Sequence, residues 1–199
     1  VQTYSRCGSL DEARLCLHCL HSWNHITLNL AIQTCARCKY LAGDAFRLFY
    51  YAMHRGAVLT RFISATILSA CCSHRDLFEG RLIHALIASH GFECDAVVST
   101  ALINMYGKCA SLDDAWKTFE DMPERNTVSW NVMGAITINF GCANESLEFI
   151  DLMQNQAVAL EKVTFLNVFD ACAIARNVMK AKQTQARIEG SNFKCNIMI

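Results

Sequence analysis

The chain repeats part of its own sequence, and this repetition constrains its fold more than any other feature. Residues 4–13 (YSRCGSLDEA) reappear as residues 106–115 (YGKCASLDDA), with the same amino acid at six positions. A second similarity, at a spacing of 101 residues instead of 102, relates ILSAC (67–71) to VFDAC (168–172). Repetition of this kind indicates an array of similar units, each of which buries its apolar face against its neighbours.

The repetition divides the chain into units of about 35 residues, a period typical of solenoid proteins. The five complete units are residues 25–60, 61–95, 96–126, 127–161 and 162–196, with lengths of 36, 35, 31, 35 and 35 residues. A truncated unit, residues 1–24, precedes them, and residues 197–199 begin another. Because the chain starts inside a unit, we expect it to be a fragment of a longer protein, with any targeting peptide upstream.

Each unit is predicted to fold as two antiparallel helices. Ser111 is placed to cap the second helix of its unit, with Asp114 three residues later as an acidic variant of the capping box. The first helix of this unit should end near Gly107, and Pro123 follows the second helix, where it cannot interrupt it. The apolar residues at helical spacing are Val98, Leu102, Ile103 and Tyr106 in the first helix and Leu112, Ala115, Trp116 and Phe119 in the second.

Unit 127–161 has the same pattern on either side of Gly141. Its apolar residues are Val128, Val132, Met133 and Ile136 in the first helix and Leu147, Ile150, Leu152 and Met153 in the second. No segment alternates apolar and polar residues as a half-buried strand would. The predicted fold is therefore all-α: a right-handed α-solenoid of stacked antiparallel helix hairpins, with about five and a half repeats.

Composition excludes several kinds of protein. The 53% hydrophobic content rules out a disordered chain, and no apolar run is long enough to span a membrane, so we expect no membrane partner. The 18 basic and 18 acidic residues balance. This balance argues against holding a polyanion by bulk charge alone, but not against recognition by stacking and hydrogen bonding.

Twelve cysteines raise the question of disulfides or zinc. Three pairs occupy equivalent positions in the repeats, which favours small apolar residues at helix contacts: Cys7 and Cys109, Cys71 and Cys172, and Cys94 and Cys195. Four others, Cys16, Cys19, Cys35 and Cys38, have the C-x2-C-x15-C-x2-C spacing of some zinc sites. Because both of these pairs fall in predicted helices rather than turns, we expect helix packing and no bound metal.

No catalytic motif is found in the sequence. The zinc deaminase signature, H-x-E followed by P-C-x-x-C, is absent, as are a GxxxxGK[ST] loop, a GxSxG elbow and an HExxH helix. His54 and His84 are expected on helix surfaces or packing edges. The segment is therefore predicted to be noncatalytic and to need no cofactor.

Three stretches carry a resemblance to a known family: residues 63–95 (ISATILSACCSHRDLFEGRLIHALIASHGFECD), residues 100–126 (TALINMYGKCASLDDAWKTFEDMPERN) and TVSWN (127–131). They resemble the pentatricopeptide repeat family of land plants. The unequal lengths resemble its subclass in which repeats of standard, long and short length alternate. Units 61–95 and 162–196 would be long repeats, 96–126 short and 127–161 standard.

The resemblance implies a function that periodicity alone does not. Members of this family bind single-stranded RNA in mitochondria or chloroplasts, one nucleotide per repeat, and the subclass commonly directs cytidine-to-uridine editing by a separate deaminase-like domain. Exposed bases of a single strand can be read by two or three side chains from each helical repeat. We therefore expect an RNA partner, with editing or processing proteins as further candidates, and no DNA.

In this family, the fifth and the last residues of a repeat choose the base. The resemblance assigns this role to Asn29 with Thr60, Ala65 with Asp95, Thr100 with Asn126, Asn131 with Glu161, and Leu166 with Asn196. Thr100 with Asn126 should prefer adenine. Asn131 points to a pyrimidine, but Glu161 departs from the usual Asp or Asn. Ala65 and Leu166 have no side-chain hydrogen-bonding group, so their repeats should discriminate little.

The second residue of each repeat would provide an apolar platform beside a base: Ile26, Phe62, Val97, Val128 and Val163. A structural alternative is that these residues simply pack at the start of a helix. Asn126 and Asn131 likewise stand near helix starts, where asparagine is favoured as a cap whether or not a ligand binds.

Two other functions stay open on the sequence. A tetratricopeptide-like scaffold has the same helix hairpins but binds peptides, and its strict 34-residue period disagrees with the unequal units. A degenerate gene fragment with little affinity for any partner is the other alternative.

Overall fold

The computed structural model describes residues 25–37, 42–156 and 158–190. Regular structure within these ranges consists of ten α-helices. They are α1 (His25–Arg37), α2 (Ala42–His54), α3 (Arg61–His74), α4 (Leu77–Ser89), α5 (Ala96–Lys108), α6 (Leu112–Glu120), α7 (Thr127–Asn139), α8 (Ala143–Asn155), α9 (Lys162–Ile174) and α10 (Val178–Gly190). The predictions for residues 1–24 and 197–199, Cys38, Cys195 and Asn196 lie outside the described residues.

The described residues confirm the all-helical prediction, with two helices in each repeat. The first helices begin at His25, Arg61, Ala96, Thr127 and Lys162, which are the residues that open the five units. The second helices begin shortly after the turn and end six residues before the end of the repeat.

Where the turn inside a hairpin lies within the described residues, it contains a residue in the left-handed conformation. Gly141 has a φ of 81° between α7 and α8, and the equivalent places in other repeats hold Arg75, Ala110 and Arg176, with φ of 54°, 60° and 53°. A residue with a Cβ loses roughly 1 kcal/mol or more in this conformation. The repeats therefore keep one backbone geometry at this turn even where glycine does not provide it.

Contacts divide the chain into two compact parts, each of which contains several repeats, with the division between Pro123 and Glu124. From here on, 'first unit' means the part before this division and 'second unit' the part after it. In the first unit, the first helices α1, α3 and α5 pack against one another in order. Helices α2 and α4 each lie against the first helix of their own repeat and that of the next. The fully buried side chains of this unit include Leu28, Ile32, Phe49, Ile63, Ile67, Ile83, Leu102 and Ile103.

The second unit repeats this arrangement. Helix α8 packs against both α7 and α9, α7 contacts α9, and α10 packs against α9. Its core contains Ala143, Leu147, Val168, Ala171 and Cys172. Each such side chain stabilises the fold by about 1–3 kcal/mol through the apolar surface it removes from water.

Polar contacts link the second helices of neighbouring repeats. Tyr50 Oη donates to Glu79 Oε1 at 2.7 Å between α2 and α4, and Arg81 Nη2 donates to Asp114 Oδ2 at 2.7 Å between α4 and α6. In the second unit, Lys180 Nζ donates to Asp151 Oδ1 at 2.9 Å. These contacts lie at the surface, so they add little to the stability of the fold.

Three predictions about individual side chains are wrong. Ser111 stands at the start of α6, but its hydroxyl donates to Asp114 Oδ2 at 2.7 Å instead of accepting a backbone N–H. Leu152 is exposed, because it points away from the buried Met153 beside it. Cys94 is exposed in the turn before α5, unlike the buried Cys71, Cys109 and Cys172.

Candidate nucleic-acid interface

The second residue of each described repeat is apolar and exposed. Ile26, Phe62 and Val97 in the first unit, and Val128 and Val163 in the second, expose between 50% and 64% of their surface. They are therefore not buried by packing at the helix start, which was the structural alternative. Large apolar side chains that stay in water at equivalent places in successive repeats indicate a contact surface.

Phe62 has a cation beside its ring. The Arg61 guanidinium lies 4.9 Å from the ring centroid, and the same guanidinium approaches Asp95 Oδ2 to 4.0 Å. Arg61 opens its repeat and Asp95 closes it. Because the side chains of Arg61 and Phe62 are mostly exposed, this corner offers an aromatic face and a positive charge to a ligand.

The last residue of a repeat caps the first helix of the next repeat. In the first unit, Thr60 Oγ1 accepts the Ile63 N–H at 3.3 Å, and Asp95 Oδ1 accepts the Val97 N–H at 2.9 Å. Thr60 and Asp95 are therefore helix caps. Asp95 keeps a second carboxylate oxygen that is turned toward Arg61.

In the second unit, Asn126 is the clearest cap. Its Oδ1 accepts the Ser129 N–H at 3.0 Å, and the residue is exposed. An amide whose oxygen is engaged in this way keeps its NH2 group for a ligand. Glu161 also precedes a helix, where its backbone N–H donates to Thr164 Oγ1 at 3.1 Å.

The fifth residues of the first unit differ in what they can offer. Asn29 and Thr100 are half-buried and polar, and Ala65 is half-buried without a polar group. Asn29 Oδ1 accepts a hydrogen bond from Thr66 Oγ1 at 2.6 Å. Thr100 Oγ1 donates to Ala96 O at 2.6 Å, so its hydroxyl is left with acceptor capacity only.

The two fifth residues of the second unit differ in exposure. Asn131 is only 8% exposed, and its backbone oxygen accepts a hydrogen bond from Asn167 Nδ2 at 2.8 Å. Leu166, by contrast, is 46% exposed. Burial limits what the Asn131 side chain can offer a base.

Two residues that the sequence did not single out contact these positions. Thr66 and Asn167 are each the sixth residue of a repeat, and each reaches back to the fifth residue of the preceding repeat. The available signal was a polar residue inside an apolar helix, directly after the fifth residue.

The described residues contain no group of three or more His, Cys, Asp or Glu side chains placed to hold a metal ion. Cys35 is buried, and the other three cysteines of the zinc-like spacing lie outside the described ranges. No helix among the described residues combines the length and apolar character that crossing a membrane requires.

Comparison with known proteins identifies the repeats. A family model described as PPR repeat matches residues 97–127. A mitochondrial pentatricopeptide repeat-containing protein of Arabidopsis thaliana is 33% identical over 89% of this chain, and a chloroplastic one is 26% identical over all of it. The chain spans 32% of the length of each of these relatives.

Solved structures agree on the fold. The pentatricopeptide repeat protein PPR10, in complex with an 18-nt psaJ RNA element, matches 92% of this chain with a TM-score of 0.69 and 16% identity, and the match covers 28% of that chain. The family model and the sequence relatives all name the pentatricopeptide repeat, and the observed helix pairs have the fold of a solved member. The chain therefore belongs to the pentatricopeptide repeat family.

Proposed function

We propose that this segment binds single-stranded RNA with base selectivity. The observation that carries the proposal is the pairing of a capping last residue with an exposed apolar second residue at the starts of α3, α5 and α7. A base needs an apolar contact for its face and polar partners for its edge, and these two residues supply both from one corner of the repeat. The fold of PPR10, which binds RNA in its crystal structure, supports this reading.

The wider role that we propose is that of a specificity segment in an organellar RNA-processing or cytidine-to-uridine editing factor of the subclass with alternating repeat lengths. The mitochondrial and chloroplastic relatives support an organellar location. The segment itself would be noncatalytic, because it has no deaminase signature, and chemistry would come from a separate domain or partner.

The repeats should contribute unequally to selectivity. Thr100 with Asn126 is assigned adenine by the family's rule, and both side chains have free hydrogen-bonding capacity. Ala65 and Leu166 should contribute contact without discrimination. Asn131 should contribute less than its type suggests, because it is buried.

The test is selection from a pool of randomised single-stranded RNA by the 199-residue chain, with a single-stranded DNA pool of the same design as the comparison. We expect a short enriched motif in RNA and a loss of preference at one nucleotide when Thr100 and Asn126 are both replaced by alanine. No motif, or a motif indifferent to this double substitution, would reject the proposal. Capture of peptides without RNA enrichment would favour the tetratricopeptide-like scaffold.

A further inference from the structure

We infer that Thr66 is a specificity-positioning residue for the nucleotide read by Asn29, and that it fixes which group of the Asn29 amide faces the base. The inference rests on the proposed RNA binding and adds a determinant outside the second, fifth and last residues. Thr66 is the sixth residue of its repeat on α3, and Asn29 is the fifth residue of the preceding repeat on α1. These two helices pack directly against each other.

The contact is a short hydrogen bond between repeats. Thr66 Oγ1 donates to Asn29 Oδ1 at 2.6 Å. An asparagine side chain has an acceptor oxygen on one branch and an NH2 donor on the other, so a half-turn of the amide exchanges acceptor for donor. A contact that holds the Asn29 amide in one orientation therefore decides which base edge the amide can complement.

The geometry favours one orientation. The Thr66 hydroxyl has one proton and two oxygens within reach, Phe62 O at 2.8 Å and Asn29 Oδ1 at 2.6 Å. A separation of 2.6 Å lies within the ordinary range of an O–H···O hydrogen bond. The hydroxyl therefore donates to Asn29 Oδ1, which leaves the Asn29 NH2 group for a base with acceptors on its read edge.

The same reach occurs in the second unit. Asn167, also the sixth residue of its repeat, donates from Nδ2 to the backbone oxygen of Asn131 at 2.8 Å. The first unit contains one more pair of a fifth residue and the sixth residue of the next repeat. This pair is Ala65 and Ala101, and neither has a polar side chain. Within each unit, a polar sixth residue therefore contacts a polar fifth residue of the preceding repeat: Thr66 contacts Asn29, and Asn167 contacts Asn131. Thr100 is also polar, but the sixth residue of the repeat that follows it is the apolar Val132.

The experiment measures base discrimination by the 199-residue chain at one nucleotide. That nucleotide is the one whose preference disappears with Asn29→Ala, and four RNAs that differ only there give the ratio of best to worst affinity. Thr66→Val keeps the side-chain shape and removes the hydroxyl, and we expect this ratio to fall about three- to tenfold. Thr66→Ser keeps the hydroxyl and should keep the ratio.

Thr118→Val is the matched control. Its hydroxyl donates to Asp114 O at 2.8 Å, the same type of contact within a helix that Thr66 makes to Phe62, without a partner in the first helix of another repeat. We expect this variant to leave the ratio unchanged. The side-chain amide NMR signal of Asn29 in the RNA-free protein should shift with Thr66→Val and not with Thr118→Val.

The outcomes separate this inference from the proposed function. A wild-type chain that shows no base preference at any nucleotide rejects the proposed function, and the inference falls with it. A wild-type preference that Thr66→Val leaves intact overturns the inference alone. An equal loss of affinity for all four RNAs, or an unmoved Asn29 amide signal, also overturns it, because the hydroxyl would then serve only packing.

Discussion

The Arg61 guanidinium lies 4.9 Å from the centroid of the Phe62 ring, at the start of helix α3. Phe62 remains 60% exposed despite this contact. A base stacked on the ring would bring its phosphate close to the arginine charge. Stacking and charge are the two contributions that single-stranded nucleic acid binding combines in proteins.

The first prediction compares two exposed phenylalanines. Phe62→Ala should weaken RNA binding by about fivefold or more, because a stacked base is worth about 1–3 kcal/mol. Phe78→Ala should have no effect, since Phe78 is 73% exposed but lies on α4, a second helix. Equilibrium binding to the selected RNA measures both. Equal losses, or no loss for Phe62→Ala, would show that the second residues do not contact bases.

The second prediction concerns the left-handed residue in the hairpin turns. Ala110 has a φ of 60° and Gly141 a φ of 81° at equivalent places. Ala110→Gly should raise the free energy of unfolding by about 1 kcal/mol by relieving backbone strain, and Gly141→Ala should lower it by a similar amount. Denaturant unfolding measures both variants. Destabilisation by Ala110→Gly would mean that the turn carries no strain.

The third prediction is a dependence of stability on pH. Burial lowers the pKa of His84 below its ordinary value of 6.5, and its Nδ1 lies 2.7 Å from Tyr106 Oη. The pKa of His84 is therefore lower in the folded protein than in the unfolded chain. For this reason, the contribution of neutral His84 to the free energy of unfolding is complete above pH 6.5 and declines as the pH falls toward the pKa of the folded state.

His84→Gln removes this titration. We expect the free energy of unfolding of the wild-type chain to fall between pH 7.5 and pH 5.5, and to fall less steeply in the variant. Denaturant titrations at several pH values measure the two slopes. The same slope in both proteins would show that His84 is as easily protonated in the folded state as in the unfolded chain.

The helix starts were predictable because caps and repeat register are local features. Asn126 and Asp95 precede helices for reasons that the nearby sequence contains. The burial of Asn131 and the contact between Thr66 and Asn29 were not predictable, because they depend on how one repeat packs against the next.

The most direct test of base reading by this chain replaces the NH2 group of the capping residue Asn126 with an oxygen. Asn126 Oδ1 accepts the Ser129 N–H, and aspartate caps helices equally well, so Asn126→Asp should keep the fold while replacing an NH2 donor with an acceptor oxygen. Asn177→Asp is the control, because Asn177 Oδ1 accepts the Lys180 N–H at 3.0 Å beside a second helix.

The measurement is the motif selected from randomised RNA by the wild-type chain and by these two variants. We predict that Asn126→Asp changes one nucleotide of the motif from adenine to guanine, whose Watson–Crick edge offers N–H donors to a carboxylate, and that Asn177→Asp changes nothing. An unchanged adenine with Asn126→Asp, or the same change with Asn177→Asp, would contradict it.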